Sequence, residues 1–307
     1  MKELLYCIKR KIQKYFNELY YKYTNDRYAV AFRQRYGSAL YEDNSSEAPF
    51  ILVKNTFRYW MADPFLVKHN GQNYLFAEMY DKKCSKGVIG YSKLNGNRCG
   101  NFRVCLEDTY HLSYPCVFYR DNDIFMVPET KENREMALFK AVRFPKKWEK
   151  HGVICNKPCV DSTPVIYKNE QYYFTTIANE RSSNDNLFLV REKNGEISEL
   201  LTDSLTLRSA GNIIADKNSL IRPSQDDTTY GDAVIFNRIE SFGVENYRES
   251  PYRKILPPGV DADENDINIQ LNNNTKKIQF NGLHTYNMNE DYEVIDLRYP
   301  RKQKYRR

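Results

Sequence analysis

Asp63, Glu78, Glu129 and Asp161 are the residues of this 307-residue chain whose types and spacing could carry chemistry. Asp63 stands one residue before Pro64 and Asp161 three before Pro164, while Glu78 and Glu129 each follow an anchor proline by 14 residues. Gln225 follows Gly211 by the same 14. Carboxylates that recur at one phase of a repeat converge on one place when the repeats pack round an axis. Paired carboxylates there suit glycosyl chemistry. One, ionised, acts as base or nucleophile; the other holds a proton for the leaving oxygen, and their repulsion separates the two pKa values. Arg208, Arg222, Asp226 and His284 fall at corresponding places in later repeats, and the cations among them suit a phosphate or a sugar carboxylate. His111 and Tyr114 lie at the start of the second repeat. Asp63, Glu129 and Asp161 are thus the expected catalytic residues, and Glu78, His111, Tyr114, Arg208, Arg222, Gln225, Asp226 and His284 the expected substrate-binding ones. A plainer role competes at each aspartate taken singly, because Asp before Pro or within Asp-Ser-Thr caps strands and turns. His111 also fits a purely structural hydrogen bond. His69 and His151 read as solvated, Trp148 as packing, and Trp60 as packing or a sugar subsite.

The elements that position these residues are short strands in repeated hairpins. Trp60–Val67 turns through His69-Asn70-Gly71 into Tyr74–Glu78, and Leu112–Phe118 turns through Asp121-Asn122-Asp123 into Ile124–Glu129. Val160–Tyr167 turns through Lys168-Asn169-Glu170 into Tyr172–Thr175, and Arg208–Ile214 through Asp216-Lys217-Asn218 into Leu220–Pro223. A fifth unit starts at Gly282-Leu283-His284-Thr285 and returns through Tyr292–Ile295. Pro64, Pro115, Pro164 and Gly211 are spaced by 51, 49 and 47 residues. Hairpins at a period of about 40–50 residues mark a propeller. Third apolar runs follow at 87–91, 137–141, 186–190 and 232–236, and fourth strands at 102–106 and 151–154. In a propeller the inner strand of each blade lines the channel and the second strand returns beside it. The start of the first and the end of the second therefore share a face, and that face holds the residues above.

The expected fold is all-β: a five-bladed β-propeller over residues 28–300, preceded by a short amphipathic helix within 1–27 and followed by a basic tail, 301–307. Leu5, Ile8, Ile12, Tyr15, Phe16 and Leu19 recur at three- and four-residue steps among lysines, a pattern that suits packing on the domain or peripheral membrane contact. Tyr28–Phe32 reads as the first strand and 261–275 as a long surface loop. The 25 Tyr and 16 Phe suit strands and sugar clefts alike. A net charge of +6, gathered at the two ends, is mild, and no nucleic-acid partner is expected. Seven cysteines in no framework spacing point to free thiols in a reducing cytosol, with no zinc site at Cys155 and Cys159. No signal peptide, membrane-spanning run, phosphate-binding glycine loop, metal site or cofactor is expected.

Ala62-Asp63-Pro64-Phe65, Leu112-Ser113-Tyr114-Pro115 with Val127-Pro128-Glu129, and Phe144-Pro145-Lys146-Lys147-Trp148 occur in a fixed order. Val160-Asp161-Ser162-Thr163-Pro164, Arg208-Ser209-Ala210-Gly211, Arg222-Pro223-Ser224-Gln225-Asp226 with Tyr230-Gly231, and Gly282-Leu283-His284-Thr285 follow them. The ordered set resembles the N-terminal propeller domain of plant glucosamine inositolphosphorylceramide transferases and related microbial polysaccharide-biosynthesis proteins. More distantly it resembles five-bladed glycosidases of the arabinanase, β-xylosidase and invertase type. That resemblance implies a first-blade Asp as base or nucleophile, matched by Asp63, with a further Asp and a Glu acid loosely matched by Asp161 and Glu129. In the plant enzymes a separate C-terminal domain is similar to sugar transferases. The resemblance implies a sugar, nucleotide-sugar or glycolipid substrate and a transferase, or component of one, in cell-surface glycan or glycolipid synthesis. A glycoside hydrolase and a non-catalytic glycan-binding module are the alternatives; the cysteines point to a cytoplasmic setting, with membrane association through the N-terminal helix as an option.

Overall fold

A computed structural model describes residues 26–42, 48–179, 186–200, 207–216, 219–226, 231–260, 266–272 and 279–300. The helix expected within 1–27 and the tail 301–307 lie outside the described residues, apart from 26 and 27. Five antiparallel sheets form the blades. Blade 1 is Tyr59–His69, Gln72–Asp81 and Lys86–Asn95, with outer pieces Arg98–Cys99 and Arg103–Leu106. Blade 2 is Ser113–Arg120, Asp123–Glu129, Met136–Arg143 and Lys147–Cys155; blade 3 is Cys159–Tyr167, Glu170–Ile177, Leu187–Arg191 and Ile197–Leu200. Blade 4 is Ile214–Asp216, Ser219–Gln225, Val234–Ser241 and Arg248–Leu256. A fifth strand, Asp266–Asn268, runs parallel to its outer edge, inside the stretch expected to be loop.

Two-residue turns make the inner hairpins of blades 1 to 3. Asn70-Gly71, Asp121-Asn122 and Lys168-Asn169 each have both residues at positive φ. That is the type I′ geometry whose twist matches the strands it joins. Apolar residues on alternate positions fill the spaces between sheets. Phe65 and Phe76 of blade 1 meet Tyr114, Cys116 and Met126 of blade 2, and Phe236 of blade 4 meets Tyr286 of blade 5.

The ring closes through Tyr28–Gln34, which is not the start of a first blade. It is the third strand of blade 5, paired along its length with Tyr292–Arg298 from Tyr28↔Arg298 to Gln34↔Tyr292. Tyr286–Met288 lies inside this pair and Ile51–Leu52 outside it. Glu293 locks the closure: Arg33 Nε donates to it at 2.7 Å, and the Leu40 N–H and Tyr286 hydroxyl donate to its other oxygen at 2.8 and 2.6 Å.

One irregularity recurs at the same place in three blades. Between Ala62↔Glu78 and Phe65↔Phe76, Asp63 and Pro64 oppose a single residue. Tyr114-Pro115 and Asp161-Ser162 do the same in blades 2 and 3. The first residue of each bulge is left-handed, with φ of 49° at Asp63, 46° at Tyr114 and 48° at Asp161. A bulge unpairs one residue and re-aims its side chain, here toward the channel. Proline is tolerated at the second position because a bulged residue owes no ladder hydrogen bond. The third-blade equivalent of Pro64 and Pro115 is therefore Ser162, not Pro164.

Tyr114 uses its bulge to fill the channel. Its fully buried ring packs edge-on to Phe65, and its hydroxyl accepts the Gly211 N–H at 2.8 Å and meets Thr163 Oγ1 at 2.9 Å. Asn287 completes this floor by donating to the Pro64 carbonyl and accepting the Asn212 N–H, both at 2.7 Å. Gly211 is needed for the approach: its φ is +142°, and a Cβ there would lie 1.9 Å from the Tyr286 carbonyl oxygen. Gly211→Ala is expected to cost more than about 2 kcal/mol, because backbone rather than a flexible side chain must give way. Urea denaturation of the variant checks this; a loss under about 0.5 kcal/mol would show that the floor is soft.

Candidate active site at the channel mouth

Above the floor, the bulges of blades 1 and 3 and the second-strand ends of every blade bring polar side chains together. Asp63 is held from three sides. Its carboxylate accepts the Tyr114 N–H and the Thr285 hydroxyl, each at 3.1 Å, and its own N–H donates to Asp296 at 3.0 Å. His284 lies between the two aspartates, Nδ1 2.6 Å from Asp296 and Nε2 3.7 Å from Asp63. Asp296 is buried and also accepts the His284 and Thr285 N–H groups at 3.1 and 3.0 Å. Burial alone disfavours the imidazolium, but Asp296 and Asp63 outweigh it and raise the pKa of His284. Burial pushes Asp63 up to about 6; His284 opposes this, while Asp161 and Asp296 add to it. The three residues offer ligand atoms within 4.8 Å of one another. Both Asp296 oxygens accept hydrogen bonds, and the two aspartates favour the charged imidazole.

Across the mouth, Asp161 accepts Arg208 Nε at 2.5 Å and Gln225 Nε2 at 3.0 Å. Burial raises its pKa and Arg208 works against the rise. Arg208 also reaches toward Glu129, 3.8 Å away, whose other oxygen is 3.0 Å from Lys131 Nζ. Among the described residues Glu78 has no such cation. Its buried carboxyl has only His111 nearby, Nε2 at 3.5 Å, and burial followed by the charges of Asp63 and Glu129 raises its pKa far above the usual range. His111 accepts the Gly87 N–H at Nδ1, which places the proton of the neutral ring on Nε2, facing Glu78; burial lowers its pKa. Gly87 makes the room: a Cβ there would sit 2.7 Å from Glu78 Oε1 and 2.8 Å from the His111 ring.

The expected residues divide three ways. Asp63, Glu78, Glu129, Asp161, Arg208, Gln225 and His284 meet at the mouth, with His111 on its rim. Tyr114 is a floor residue that reaches the site through its backbone N–H. Arg222 and Asp226 do not join the cluster. Arg222 precedes Gln225 by three positions on a regular strand, so its side chain takes the opposite face, where Glu249 holds it at 2.5 and 2.8 Å. Asp226, next to Gln225, has its carboxylate 3.4 Å from Lys254. Three further residues belong to the site. Asp296 is an acid between Ile295 and Leu297 in a buried strand, a pattern that alone could have flagged it. Thr176 pairs with Val160 as Glu78 pairs with Ala62, and counting from Asp161 instead of Pro164 finds it. Tyr28 stacks on His284 with centroids 4.4 Å apart and leads an aromatic arc through Trp60 to Tyr80. Trp60 is closed between those two rings rather than open as a platform.

Nine buried side-chain polar atoms have no hydrogen-bond partner among the described residues, and five of the nine gather at the mouth: Glu78 Oε1, Glu129 Oε2, Thr176 Oγ1, Ser209 Oγ and Gln225 Oε1. They come from blades 1, 2, 3 and 4, and each belongs to the second-strand ends or the blade 4 approach that form the mouth. Leaving such atoms dry and unpaired costs roughly 1–3 kcal/mol apiece, so a partner of matching polarity is implied.

Residues 52–259 match the protein family described as "Glucosamine inositolphosphorylceramide transferase 1, N-terminal". Glucosamine inositolphosphorylceramide transferase 1 of Oryza sativa subsp. indica is 32% identical over 206 residues, covering 62% of this chain and 28% of that protein. The Arabidopsis thaliana protein of the same name is 30% identical over 212 residues, covering 62% and 27%. The chain thus spans little more than a quarter of the curated relatives it matches. Among solved structures, it is similar to the α-L-arabinofuranosidase of Lactobacillus brevis, with TM-score 0.51 and 12% identity over 80% of this chain and 92% of that one. It is similar also to the α-L-arabinofuranosidase of Podospora anserina in complex with cellotriose, with TM-score 0.50 and 10% identity over 89% and 97%. At these identities the structural likeness shows the fold alone.

Proposed function

The chain belongs to the glucosamine inositolphosphorylceramide transferase N-terminal family, and from that premise we propose that its channel mouth binds a glycan end and acts on a glycosyl bond there. Its setting in this reading is cell-surface glycan or glycolipid assembly. The observation that carries it is the set of five unpartnered buried polar atoms, contributed by four blades to one mouth. Three of them, on Glu78, Glu129 and Gln225, are carboxyl or amide oxygens and the other two are hydroxyls. Sugar hydroxyls supply donors for the first three and either role for the rest.

The charges favour the sugar end of a substrate over a nucleotide donor. Arg208 is committed to Asp161, His284 to Asp296, and Arg222, away from the mouth, to Glu249. A diphosphate entering here would meet Asp63, Glu129 and Asp161, and the described cations beside them are already paired, Arg208 with Asp161 and Lys131 with Glu129. Asp63, near 6, is the group able to act as base or nucleophile at neutral pH, and Glu78 is the group that keeps its proton. Glu129 lines the same mouth and orders the substrate. A reducing compartment fits the described cysteines, all six of which are unpaired.

Titration of neutral oligosaccharides, amino-sugar glycans and nucleotide sugars, followed by product analysis of whatever binds, tests this reading. Glycan ends are expected to bind and nucleotide sugars not to compete with them. Absence of any binding at roughly millimolar ligand would remove the carbohydrate reading altogether. For a turned-over substrate, kcat/KM should rise through pH about 6 as Asp63 ionises and fall at higher pH as Glu78 loses its proton. A profile flat from acid to neutral pH would separate Asp63 from the chemistry.

A further inference from the structure

We infer that Cys155 and Cys159 form a reversible oxidation site, and that the disulfide they make rearranges the Asp161 corner of the channel mouth. Cys155 ends the outermost strand of blade 2 and Cys159 begins the innermost strand of blade 3, so Asn156-Lys157-Pro158 is the whole crossing between the blades. The crossing turns tightly, with the Cys159 N–H donating to the Lys157 carbonyl at 2.8 Å. It leaves the two sulfurs 3.6 Å apart, inside a core of Val127, Met136, Leu138 and Tyr173. The other four described cysteines stand apart. Cys84 is exposed, and the thiols of Cys99, Cys105 and Cys116 donate to oxygens. Among the described residues no third Cys, His, Asp or Glu joins the pair within ligand reach, so a closed zinc site is not formed and thiol chemistry is what the pair offers.

The two thiols are not equivalent. Cys155 keeps 7% of its surface exposed, against 2% for Cys159. The hydrogen bond from Cys159 lowers the Cys155 pKa against the opposing effect of burial, and the Lys157 N–H and ammonium add to the lowering. The same hydrogen bond, then burial, raises Cys159. Cys155 is thus the attacking thiolate and Cys159 the resolving thiol. With a peroxide as oxidant, the Cys155 sulfur attacks one oxygen and the O–O bond breaks. A sulfenic acid forms, and the departing hydroxide takes up the proton that Cys155 had released. The Cys159 sulfur then attacks the Cys155 sulfur, the S–O bond breaks, and hydroxide leaves with the Cys159 proton as a second water. Two electrons have passed from the sulfurs to the peroxide. Thr175 carries the change to the mouth. Its hydroxyl lies against the Cys159 sulfur, donates to the Val160 carbonyl at 2.9 Å and accepts the Ser162 hydroxyl at 3.1 Å. Val160 and Ser162 flank Asp161 in the blade 3 bulge, and Thr176 pairs with Val160. A disulfide holds its sulfurs at about 2.05 Å, so the Cys159 sulfur must turn away from Thr175 and leave that hydroxyl to pair anew.

Hydrogen peroxide added to the reduced full chain, followed by peptide mass analysis, tests the site. Trypsin does not cut Lys157-Pro158, so one peptide, 151–168, carries both sulfurs. After oxidation this peptide should have lost two hydrogens and should refuse iodoacetamide, and dithiothreitol should reverse both changes. Cys159→Ser should stop at a sulfenic acid on Cys155, trapped there by dimedone, and Cys155→Ser should form no disulfide in this peptide. Hydrogen exchange of the oxidised and reduced wild-type chain reads the link to the mouth. Amides of 160–163 and 174–177 should exchange roughly ten-fold faster when oxidised, and those of 292–298 in blade 5 should not change. A 151–168 peptide that stays reduced while Cys84 is oxidised overturns the site. A disulfide formed with exchange at 160–163 unchanged overturns its connection to Asp161. Should either serine variant fail to fold, the wild-type peptide and its exchange still decide both points. None of these readouts uses a sugar, so the oxidation site and the glycan reading fail separately.

Discussion

Asp63→Asn is expected to lower turnover of a bound glycan by roughly 10²–10⁴-fold, to leave its binding within a few-fold, and to make the protein more stable at neutral pH. The three outcomes follow from one environment. Asn keeps the shape of the side chain: its oxygen can accept the Tyr114 N–H, and its amide can donate to the Thr285 hydroxyl in place of accepting from it. It cannot take a proton or attack a carbon. The stability change has a definite sign. Asp63 has its pKa raised from 3.8 to about 6, so between those values the folded protein holds a proton that the unfolded chain has released. Stability therefore falls as pH rises through about 4 to 6, and the cost persists above that range. Burying the ionised group costs on the order of 1–3 kcal/mol, part of it returned by His284. Asn removes the cost, so the gain over wild type should be absent near pH 4 and present at pH 7.5. Thermal denaturation at the two pH values reads it directly. Equal stability at both would mean that Asp63 ionises as easily as a surface carboxylate. Unchanged turnover would leave the mouth a binding site only.

Most of the architecture is legible in the sequence because a propeller repeats. The spacing of Pro64, Pro115, Pro164 and Gly211, with two-residue turns such as Asn70-Gly71 and Lys168-Asn169, is a local signal reproduced blade after blade. The same signal located the mouth, since Glu78 and Glu129 sit at one phase of it. It lost accuracy where the repeat itself varies. The bulge in blade 3 is Asp161-Ser162, two residues ahead of Pro164, and the misplaced phase hid Thr176. Arg222 was placed at the mouth by sequence neighbourhood, yet strand alternation sends it away from Gln225 to Glu249. Asp296, marked only by its place between Ile295 and Leu297, and Tyr28 escape the repeat signal for a different reason. They belong to the blade closed by strands from opposite ends of the chain, and no period within the sequence reports a pairing between residues 28 and 298. The left-handed backbone at Asp63, Tyr114 and Asp161 is likewise set by the bulge and not by residue type, as a tyrosine in that conformation shows.

Arg208→Met is the second substitution expected to have a large effect, and it separates the structural from the functional part of the mouth. Asp161 is buried, and its charge is balanced by the 2.5 Å contact to Arg208 Nε. With the guanidinium gone, Gln225 Nε2 remains as its described donor and Glu129 loses the cation 3.8 Å away. A buried charge stripped of its partner destabilises by about 3–5 kcal/mol, unless it takes up a proton. Protonation is the easier escape here, because burial already raises Asp161. The loss should accordingly be largest at alkaline pH and shrink as pH falls toward the new, higher pKa. Asp161→Asn combined with Arg208→Met should recover most of the stability at every pH, since neither charge is then left alone. A cycle of the two single variants and the double one measures the coupling, and additive losses would show that the pair is screened despite its burial. The same variants bear on specificity. If Arg208 serves to hold Asp161, the double variant still binds neutral glycans; if it reaches out to an anionic group of the substrate, binding is lost with the guanidinium and Asp161→Asn does not bring it back.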